Sequence, residues 1–296
     1  MPQGSVLEPL LFLMFVYDID HAICSKLFKF ADDAKLFRVV SSIDDVNKLR
    51  DDLKNLFSWS EDWLMLFNLD KCKVLHFGKT NSSRCQYSLG GKILEEVQEE
   101  RDLGVIVSSD LRVSQQCAKV VKTANRILGM VSRTFTLRSK DVILRLYKSL
   151  VRPHLEYCIQ AWRPHLQKDI NLLEGVQHRA TKMITNFHNL SYEQRLSELM
   201  LTTLETRRLR GDLIQVFKIM KGFDDLNYQD FFVVSTNRSR GHTLKLFKAR
   251  FNTNCGKFMF SNRLVDKWNR LSEDIISCNT VEAFKVKLDQ YLRCCR

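Results

Sequence analysis

Two adjacent carboxylates interrupt an apolar stretch near the beginning of the chain. Asp32 and Asp33 lie between apolar flanks within residues 27–40, a pattern that predicts a β-hairpin with both aspartates at its turn. Carboxylates that rigid strands hold a few ångströms apart can share Mg²⁺, a hard cation that prefers oxygen ligands. Such a pair could clamp the metals of a two-metal phosphoryl transfer, although Asp-Asp taken alone is more typical of a solvated turn.

The elements around this hairpin predict an α+β region over residues 1–110. Apolar residues at helical spacing predict a helix over 44–66. A β-like stretch follows at 73–77, and a further hairpin runs through Gly90 and Gly91 and ends at 104–107. Strands and a helix would therefore hold the two aspartates in place.

After residue 110 the pattern becomes helical. One apolar stripe, with Lys and Arg at other positions around it, predicts a first helix from about residue 114. Three further helices are predicted over 139–151, 167–187 and 203–222, the first ending before Pro153. A capping box at 191–194 predicts the start of another helix. Gly222 is the expected C-cap of the helix predicted over 203–222. Residues 223–260 are predicted to be rich in loops, with two short helices near 261–271 and 280–293.

The charge is divided unevenly along the 296 residues. Residues 1–100 contain 12 basic and 16 acidic side chains, whereas residues 101–296 contain 34 and 18. All of the net charge of +12 therefore comes from the second part. A basic excess of this kind favours a polyanion such as nucleic acid as the partner, the alternative being a solvated basic surface without one.

The cysteines and the apolar runs argue against a disulfide-rich protein and against a protein with a membrane-spanning helix. The nine cysteines are odd in number and contain no C-x-x-C pair, so a disulfide framework or a structural zinc site is not expected. The longest apolar run, residues 10–17, is too short for a membrane span, and no basic segment precedes it as in a secretory signal. We expect reduced thiols, no membrane partner, and a location in the cytoplasm, the nucleus or both.

Four ordered motifs place the aspartates in a wider context. They are Pro2-Gln3-Gly4-Ser5-Val6-Leu7, Phe30-Ala31-Asp32-Asp33, Asn68-Leu69-Asp70-Lys71 and Leu103-Gly104-Val105. Residues 147–157, Arg240-Gly241-His242 and Phe260-Ser261-Asn262-Arg263 continue the pattern. In order and spacing the chain resembles the reverse transcriptases of non-LTR (LINE) retrotransposons of the jockey-like type, over essentially its whole length.

This resemblance implies a fold and a function. The fold would be α+β, with a partial right-hand polymerase palm over residues 1–110. A helical thumb over 111–222 and a mixed helical region over 223–296 would follow. The implied activity is RNA-directed DNA synthesis by two-metal nucleotidyl transfer, with Mg²⁺ as cofactor. The partners would be an RNA template and a DNA primer, with deoxynucleotides as the small-molecule substrates.

The resemblance also implies roles for individual residues. Asp32 and Asp33 match the catalytic, metal-binding aspartates of the family. Lys71 matches a lysine near the leaving pyrophosphate, where an ammonium could stabilise charge or donate a proton, the alternative being a surface lysine beside Asp70.

The nucleotide and primer contacts are implied in the same way. Gln3 and Gly4 match a loop along the template and the incoming nucleotide, and Phe30 and Ala31 belong to the same nucleotide-binding region. Leu103 and Gly104, with Val105, match the primer-grip hairpin, where glycine allows close backbone approach. A turn before a helix is the plainer interpretation of Pro-Gln-Gly, and a plain strand glycine that of Gly104.

The helices after residue 110 would hold the template–primer duplex by its backbone. The cations suited to contact phosphates are Lys119, Lys122 and Arg126, and such contacts give affinity without recognising sequence. The alternative is that these residues form a solvated helix face. Tyr147, Trp162 and Trp268 could stack on bases, but their apolar helical spacing is more typical of core residues.

The chain also departs from the family pattern. A two-metal polymerase uses a further carboxylate from a strand upstream of Pro-Gln-Gly, and the chain begins inside that loop. Glu8 stands where the family usually has glycine. The chain alone is therefore expected not to polymerise DNA. A non-catalytic nucleic-acid-binding remnant and an inert product are the alternatives to a working enzyme.

Overall fold

The computed structural model describes residues 7–78, 85–235 and 241–294. The chain divides into two units: residues 1–100 with 108–110, and residues 101–107 with 111–296. Helices and small two-stranded sheets make up the described part of the chain, which is compatible with the α+β class. No helix in these described ranges is long and apolar enough to cross a membrane.

The first unit carries most of the strands. Its helices are α1 (Leu7–Phe15) and α2 (Ile43–Asp62). Its strands up to residue 97 are β1 (Lys26–Phe30), β2 (Asp33–Phe37), β3 (Lys73–Leu75), β4 (Ser88–Leu89), β5 (Lys92–Ile93) and β6 (Glu95–Val97). The pairs β1–β2 and β4–β5 are antiparallel, whereas β3 and β6 are parallel. Two more strands, β7 (Glu99–Asp102) and β8 (Val105–Ser108), form a further two-stranded sheet.

Helix α2 is anchored at its start and along its buried face. Ser42 accepts a hydrogen bond from the Asp45 N–H, and the Asp45 carboxylate accepts one from the Ser42 N–H, which completes a capping box. Asp52 is buried and accepts hydrogen bonds from the backbone N–H groups of Cys24 (2.8 Å) and Ser25 (2.9 Å). The helix therefore fixes the segment that leads into β1.

The first unit buries few apolar side chains. None of the residues of α1 is buried, and Leu7, Leu13 and Met14 are more than half exposed. Among the described residues of this unit, the buried apolar side chains are those of Val16, Ile19, Val46, Leu56, Tyr87 and Leu89. The apolar side chains of α1 are thus largely open to solvent.

The second unit is almost entirely helical. Its helices are α3 (Ser114–Thr134), α4 (Lys140–Leu146), α5 (Arg152–Glu156), α6 (Ile159–Trp162), α7 (Gln167–Lys182), α8 (Tyr192–Glu198), α9 (Leu204–Lys221), α10 (Asn254–Phe258), α11 (Phe260–Arg263), α12 (Val265–Asn269), α13 (Glu273–Ile276) and α14 (Val281–Cys294). The capping box at Ser191 and the αL C-cap at Gly222 (φ 70°) are both present, as the sequence predicts.

Pro153 does not end the helix that precedes it, so this prediction was wrong. A π-helical turn (Tyr147–Val151) connects α4 to α5, and the Arg152 N–H donates to the Tyr147 carbonyl five residues back. Pro153 then lies in the first turn of α5, where the missing N–H is tolerated. The wider turn allows the helical path to continue through a proline.

Two hydrophobic cores fill the second unit, and α9 contributes to both. The first core runs from Val105 to Leu204, the first residue of α9. The second core begins at Leu213 and includes Phe217 on the same helix, stacked on Phe284 at 4.0 Å between ring centroids. Helix α9 therefore joins the two cores.

A buried ion cluster lies on α9 at the junction of these cores. Asp212 is fully buried and accepts hydrogen bonds from Arg163 Nη1 (3.0 Å) and from Arg263 Nε (3.1 Å) and Nη2 (2.9 Å). Arg263 Nη2 also donates to the carbonyl of Gln160 at 3.1 Å. One carboxylate thus holds the residue after α6 and the last residue of α11 on the same helix.

Removing the Asp212 charge should destabilise the protein strongly, because two guanidinium groups would remain in the interior without a counter-ion. We expect Asp212→Asn to lower the free energy of unfolding by about 3–5 kcal/mol. Asp289→Asn is the matched control, since Asp289 pairs with Arg210 near the surface and its loss should cost about 0–1 kcal/mol. Urea denaturation followed by circular dichroism measures both, and equal effects would contradict the role assigned to Asp212.

Candidate functional site

The predicted hairpin is present as β1 and β2, with Asp32 in its turn and Asp33 as the first residue of β2. Phe30 pairs with Asp33, so Ala31 and Asp32 form a two-residue turn. Ala31 has a φ of 49°, in the left-handed region that glycine occupies more easily. Both aspartates are exposed, and Phe30 is 62% exposed. The carboxylates therefore face solvent at the end of a narrow ribbon.

Lys29 anchors this hairpin to the end of α1. Its Nζ donates to the carbonyls of Val16 (3.3 Å) and Tyr17 (3.4 Å) and pairs with Asp20 at 3.3 Å. A cation is favourable here because the carbonyls at a helix C-terminus carry partial negative charge. A cleft of about 260 Å³ adjoins the turn and is lined by Leu13, Val16, Tyr17, Lys29 and Ala31.

The hairpin offers two of the ligands that a divalent metal needs. Carboxylate oxygens suit Mg²⁺, so Asp32 and Asp33 have the right donor chemistry. Within the described ranges, however, no group of three or more His, Cys, Asp or Glu side chains is placed to hold a metal ion. Asp18 accepts a hydrogen bond from Trp59 Nε1 at 3.0 Å, and Asp20 pairs with Lys29, so both nearby acids have other partners.

Lys71 was predicted to act beside the two aspartates. Lys71 is exposed, and its N–H donates to the Asn68 carbonyl at 3.0 Å. Its side chain forms no ion pair with Asp32 or Asp33. The predicted Gln3 and Gly4 lie outside the described residues.

Leu103 and Gly104 form the turn between β7 and β8. Their φ angles are 44° and 87°, so Gly104 is a turn residue and the strand-glycine interpretation was wrong. Positive φ at both central positions is typical of a tight hairpin turn. Tyr157 holds this turn, since its hydroxyl donates to the Leu103 carbonyl at 2.9 Å. A Cβ at position 104 would lie 3.4 Å from the Tyr157 ring.

Helix α3 carries the three predicted phosphate-binding cations and a fourth cation, Arg133, on one face. At about 100° per residue, Lys119, Lys122, Arg126 and Arg133 fall within an arc of about 60°. The buried stripe, which includes Cys117, Ala124 and Leu128, lies on the opposite side of the helix. We call these four cations the α3 basic face.

The cations of the α3 basic face are not paired with acids in the described part of the chain. Partial burial, and secondarily the positive charge of Arg101, lowers the pKa of Lys119. Such a face attracts an anion.

The three aromatic residues that were considered for base stacking are core residues. Tyr147, Trp162 and Trp268 are at most 2% exposed. Each polar atom has an internal partner: Gln177 for the Tyr147 hydroxyl, and the carbonyls of Tyr157 and Leu244 for the two indoles. The core interpretation is confirmed for all three.

Two residues that matter for these sites were not assigned to them from the sequence. Arg133 belongs to the α3 basic face. The sequence could have predicted this, because Arg133 follows Lys119 by 14 residues and that spacing returns nearly to the same side of a helix. Tyr157 holds the Leu103–Gly104 turn across 54 residues of sequence. No local pattern indicates such a contact.

Comparisons with curated proteins confirm the resemblance to reverse transcriptases of non-LTR elements. The chain is 24% identical over 197 residues to the RNA-directed DNA polymerase from mobile element jockey of Drosophila melanogaster. It is 27% identical over 211 residues to the probable RNA-directed DNA polymerase from transposon BS of the same species, and 27% identical over 199 residues to the jockey polymerase of Drosophila funebris.

These similarities cover 62–63% of this chain and 22% of each relative, so the aligned part spans about a fifth of their length. No family model matches the chain, and no solved structure matches it. The kind of protein that it resembles is thus an RNA-directed DNA polymerase of a mobile element.

A methyl group at position 104 should destabilise the hairpin that Tyr157 holds. We expect Gly104→Ala to lower the free energy of unfolding by about 1–2 kcal/mol, because alanine is strained at a φ of 87°. Gly129→Ala is the control: it lies inside α3, its Cβ meets only Arg133 Nη1 at 3.5 Å, and it should stabilise by about 0.5–1 kcal/mol. Urea denaturation gives both values, and a neutral Gly104→Ala would argue against a strained turn.

Proposed function

We propose that this chain is part of the reverse transcriptase of a non-LTR retrotransposon and that its α3 basic face holds the duplex of RNA template and DNA primer. The observation that carries the proposal is the α3 basic face, four cations without acidic partners in the described structure. The similarity to polymerases of mobile elements supports nucleic acid as the polyanion.

The dimensions of the α3 basic face suit a duplex backbone. From Lys119 to Arg133 the helix advances about 21 Å at 1.5 Å per residue. A duplex carries about one negative charge per 1.7 Å of its axis, which gives on the order of twelve phosphates over that length. Contacts of this kind fix position and affinity without reading sequence, as a polymerase that copies varied templates requires.

In this proposal, residues 1–110 form the palm, residues 111–222 the thumb and residues 223–296 a further helical region. Asp32 and Asp33 are the residues that would hold Mg²⁺, which when bound stabilises the attacking and leaving oxygens of nucleotidyl transfer. The cleft beside Ala31, with Phe30 exposed at its edge, would take the nucleotide together with Gln3 and Gly4.

The two remaining predicted contacts have different support. Lys71 would face the leaving pyrophosphate, although it forms no ion pair with Asp32 or Asp33. The Leu103–Gly104 turn would approach the primer with its backbone, and the rigid hold of Tyr157 on that turn supports this role. A location in the cytoplasm or nucleus would give access to RNA and deoxynucleotides.

A second candidate function is binding without catalysis. It is favoured by one observation: the described residues bring no third acid to Asp32 and Asp33. The α3 basic face requires no metal and would work in either case. Binding and primer extension therefore have to be measured separately.

Binding to a blunt RNA–DNA heteroduplex should weaken steeply with salt, because each phosphate contact releases a counter-ion. We expect the double variant Lys122→Gln with Arg126→Gln to reduce the slope of log affinity against log salt by about 0.9 per lost contact, close to two in all. Fluorescence anisotropy over a series of salt concentrations measures this slope.

The matched control removes two charges from the first unit. Lys48→Gln with Lys54→Gln changes the net charge equally, but both lysines lie on α2 and pair with Asp44 and Asp51. We expect the wild-type slope for this variant. An equal loss in both double variants would mean that net charge, and not the α3 basic face, governs binding.

The 296-residue chain alone should bind the heteroduplex without extending the primer. The resemblance implies a metal site with three carboxylates, of which Asp32 and Asp33 would be two. The described residues place no third carboxylate beside them. Primer extension on an RNA template with Mg²⁺ and deoxynucleotides tests this. Extension that disappears in Asp33→Asn would show a working active site and refute the non-catalytic alternative.

A further inference from the structure

A groove with a strongly basic rim runs between α3 and the C-terminal end of α7. It has a volume of about 500 Å³. Asn125, Gly129 and Ser132 line it from α3, and Arg179, Lys182 and Met183 from the α7 side. Arg138 and His188 complete the rim. No aspartate or glutamate lines this groove, so its charge is positive throughout.

Two of the groove's cations are held in place by neighbouring polar atoms. Arg179 donates from Nε (3.1 Å) and Nη2 (2.8 Å) to Asn125 Oδ1. Arg138 donates from Nη2 to the Ser132 carbonyl (3.2 Å) and Oγ (3.1 Å). Neither arginine is neutralised by these partners, because an amide, a hydroxyl and a carbonyl carry no net charge. Fixed guanidinium groups lose little entropy when they bind a phosphate.

The interior of the groove is apolar. Leu128 and Met183 lie along it, and Gly129 contributes no side chain. Packed helices are about 8–10 Å apart axis to axis, so a groove between two of them is too narrow for a nucleic-acid duplex, which is wider than a single helix. Its volume lies within the usual range for small-ligand sites, about 300–1,000 Å³. An anionic group attached to a flat apolar one matches this combination.

The groove is continuous with the α3 basic face. Gly129 lines the groove, and the Arg133 guanidinium of the α3 basic face lies 3.5 Å from the place where a Cβ on Gly129 would be. A strand that leaves a duplex held on the α3 basic face would therefore meet the groove without crossing uncharged surface.

We propose that this groove binds an unpaired segment of the nucleic acid, with phosphates on Arg138, Arg179 and Lys182 and a base against Leu128 and Met183. The proposal rests on the proposed function, because the duplex on the α3 basic face brings the single strand to the groove. A base supplies the flat apolar group and the backbone supplies the charge, so single-stranded nucleic acid fits better than an acidic peptide.

The test compares a blunt RNA–DNA heteroduplex, the same heteroduplex with a short single-stranded extension, and the free single strand. Fluorescence anisotropy on the full chain at one salt concentration gives the three affinities. We expect the extension to tighten binding about tenfold, a gain consistent with stacking of one base and added phosphate contacts. Arg179→Gln with Lys182→Gln should abolish this gain and weaken the free single strand, with blunt-duplex affinity nearly unchanged.

Two variants make the test specific. Lys168→Gln removes a charge from α7 about 16 Å from Arg179 along the helix and should keep the full gain. Gly129→Leu keeps every cation and adds a side chain to the groove lining, and the atom nearest to its Cβ is the flexible end of Arg133 at 3.5 Å. A wild-type circular dichroism spectrum and wild-type affinity for the blunt duplex show that this variant folds and keeps the α3 basic face. We expect it to lose the gain as completely as the charge variant does.

Each adverse outcome has a defined meaning. No gain from the extension in the wild type, or a gain that survives both groove variants, overturns the groove proposal while leaving duplex binding intact. An abasic extension that binds as well as the normal one overturns the base contact. Polyglutamate is added at the same concentration of negative charge as the free single strand. If it displaces the strand, the groove recognises charge alone and the proposed preference for nucleic acid is wrong. Failure of the blunt duplex to bind, with the single strand still bound, instead overturns the role of the α3 basic face.

Discussion

The helical unit depends on one buried carboxylate. Asp212 lies in the middle of α9. The residue Leu204 before it belongs to the first hydrophobic core, and Leu213 after it belongs to the second. Desolvating a carboxylate and two guanidinium groups is expensive, and good geometry with additional hydrogen bonds is needed to offset that cost. Arg263 meets this condition through two bonds to Asp212 and one to the Gln160 carbonyl. The cluster therefore fixes where the chain after α6 and the C-terminal helices meet.

This arrangement changes the meaning of one sequence motif. Phe260-Ser261-Asn262-Arg263 continues the set of motifs that resemble those of reverse transcriptases, and it contains one cation, Arg263. In the structure, Arg263 is turned inward, and burial lowers its pKa even though Asp212 opposes the shift. The Asn262 amide donates to the Gly256 carbonyl at 2.7 Å. The motif is thus explained by packing.

Sequence reasoning succeeded where the determinant was local. The hairpin around Asp32, the capping box at Ser191 and the C-cap at Gly222 depend on neighbouring residues, and all three are present. It failed at Pro153, because a single π turn absorbs the proline and no residue pattern announces it. It also missed Tyr157, since that contact joins residues far apart in sequence. The roles of Asp32, Asp33 and Lys71 remain predictions drawn from the resemblance.

Helix α3 has a buried side and a charged side, and this division affects how the sequence can evolve. Substitutions on the charged side leave the packing of Cys117, Ala124 and Leu128 untouched. Affinity for a polyanion can therefore be gained or lost without any change in the fold. A variant with a neutral α3 surface would keep the same fold, so the fold alone does not reveal whether that surface binds a polyanion.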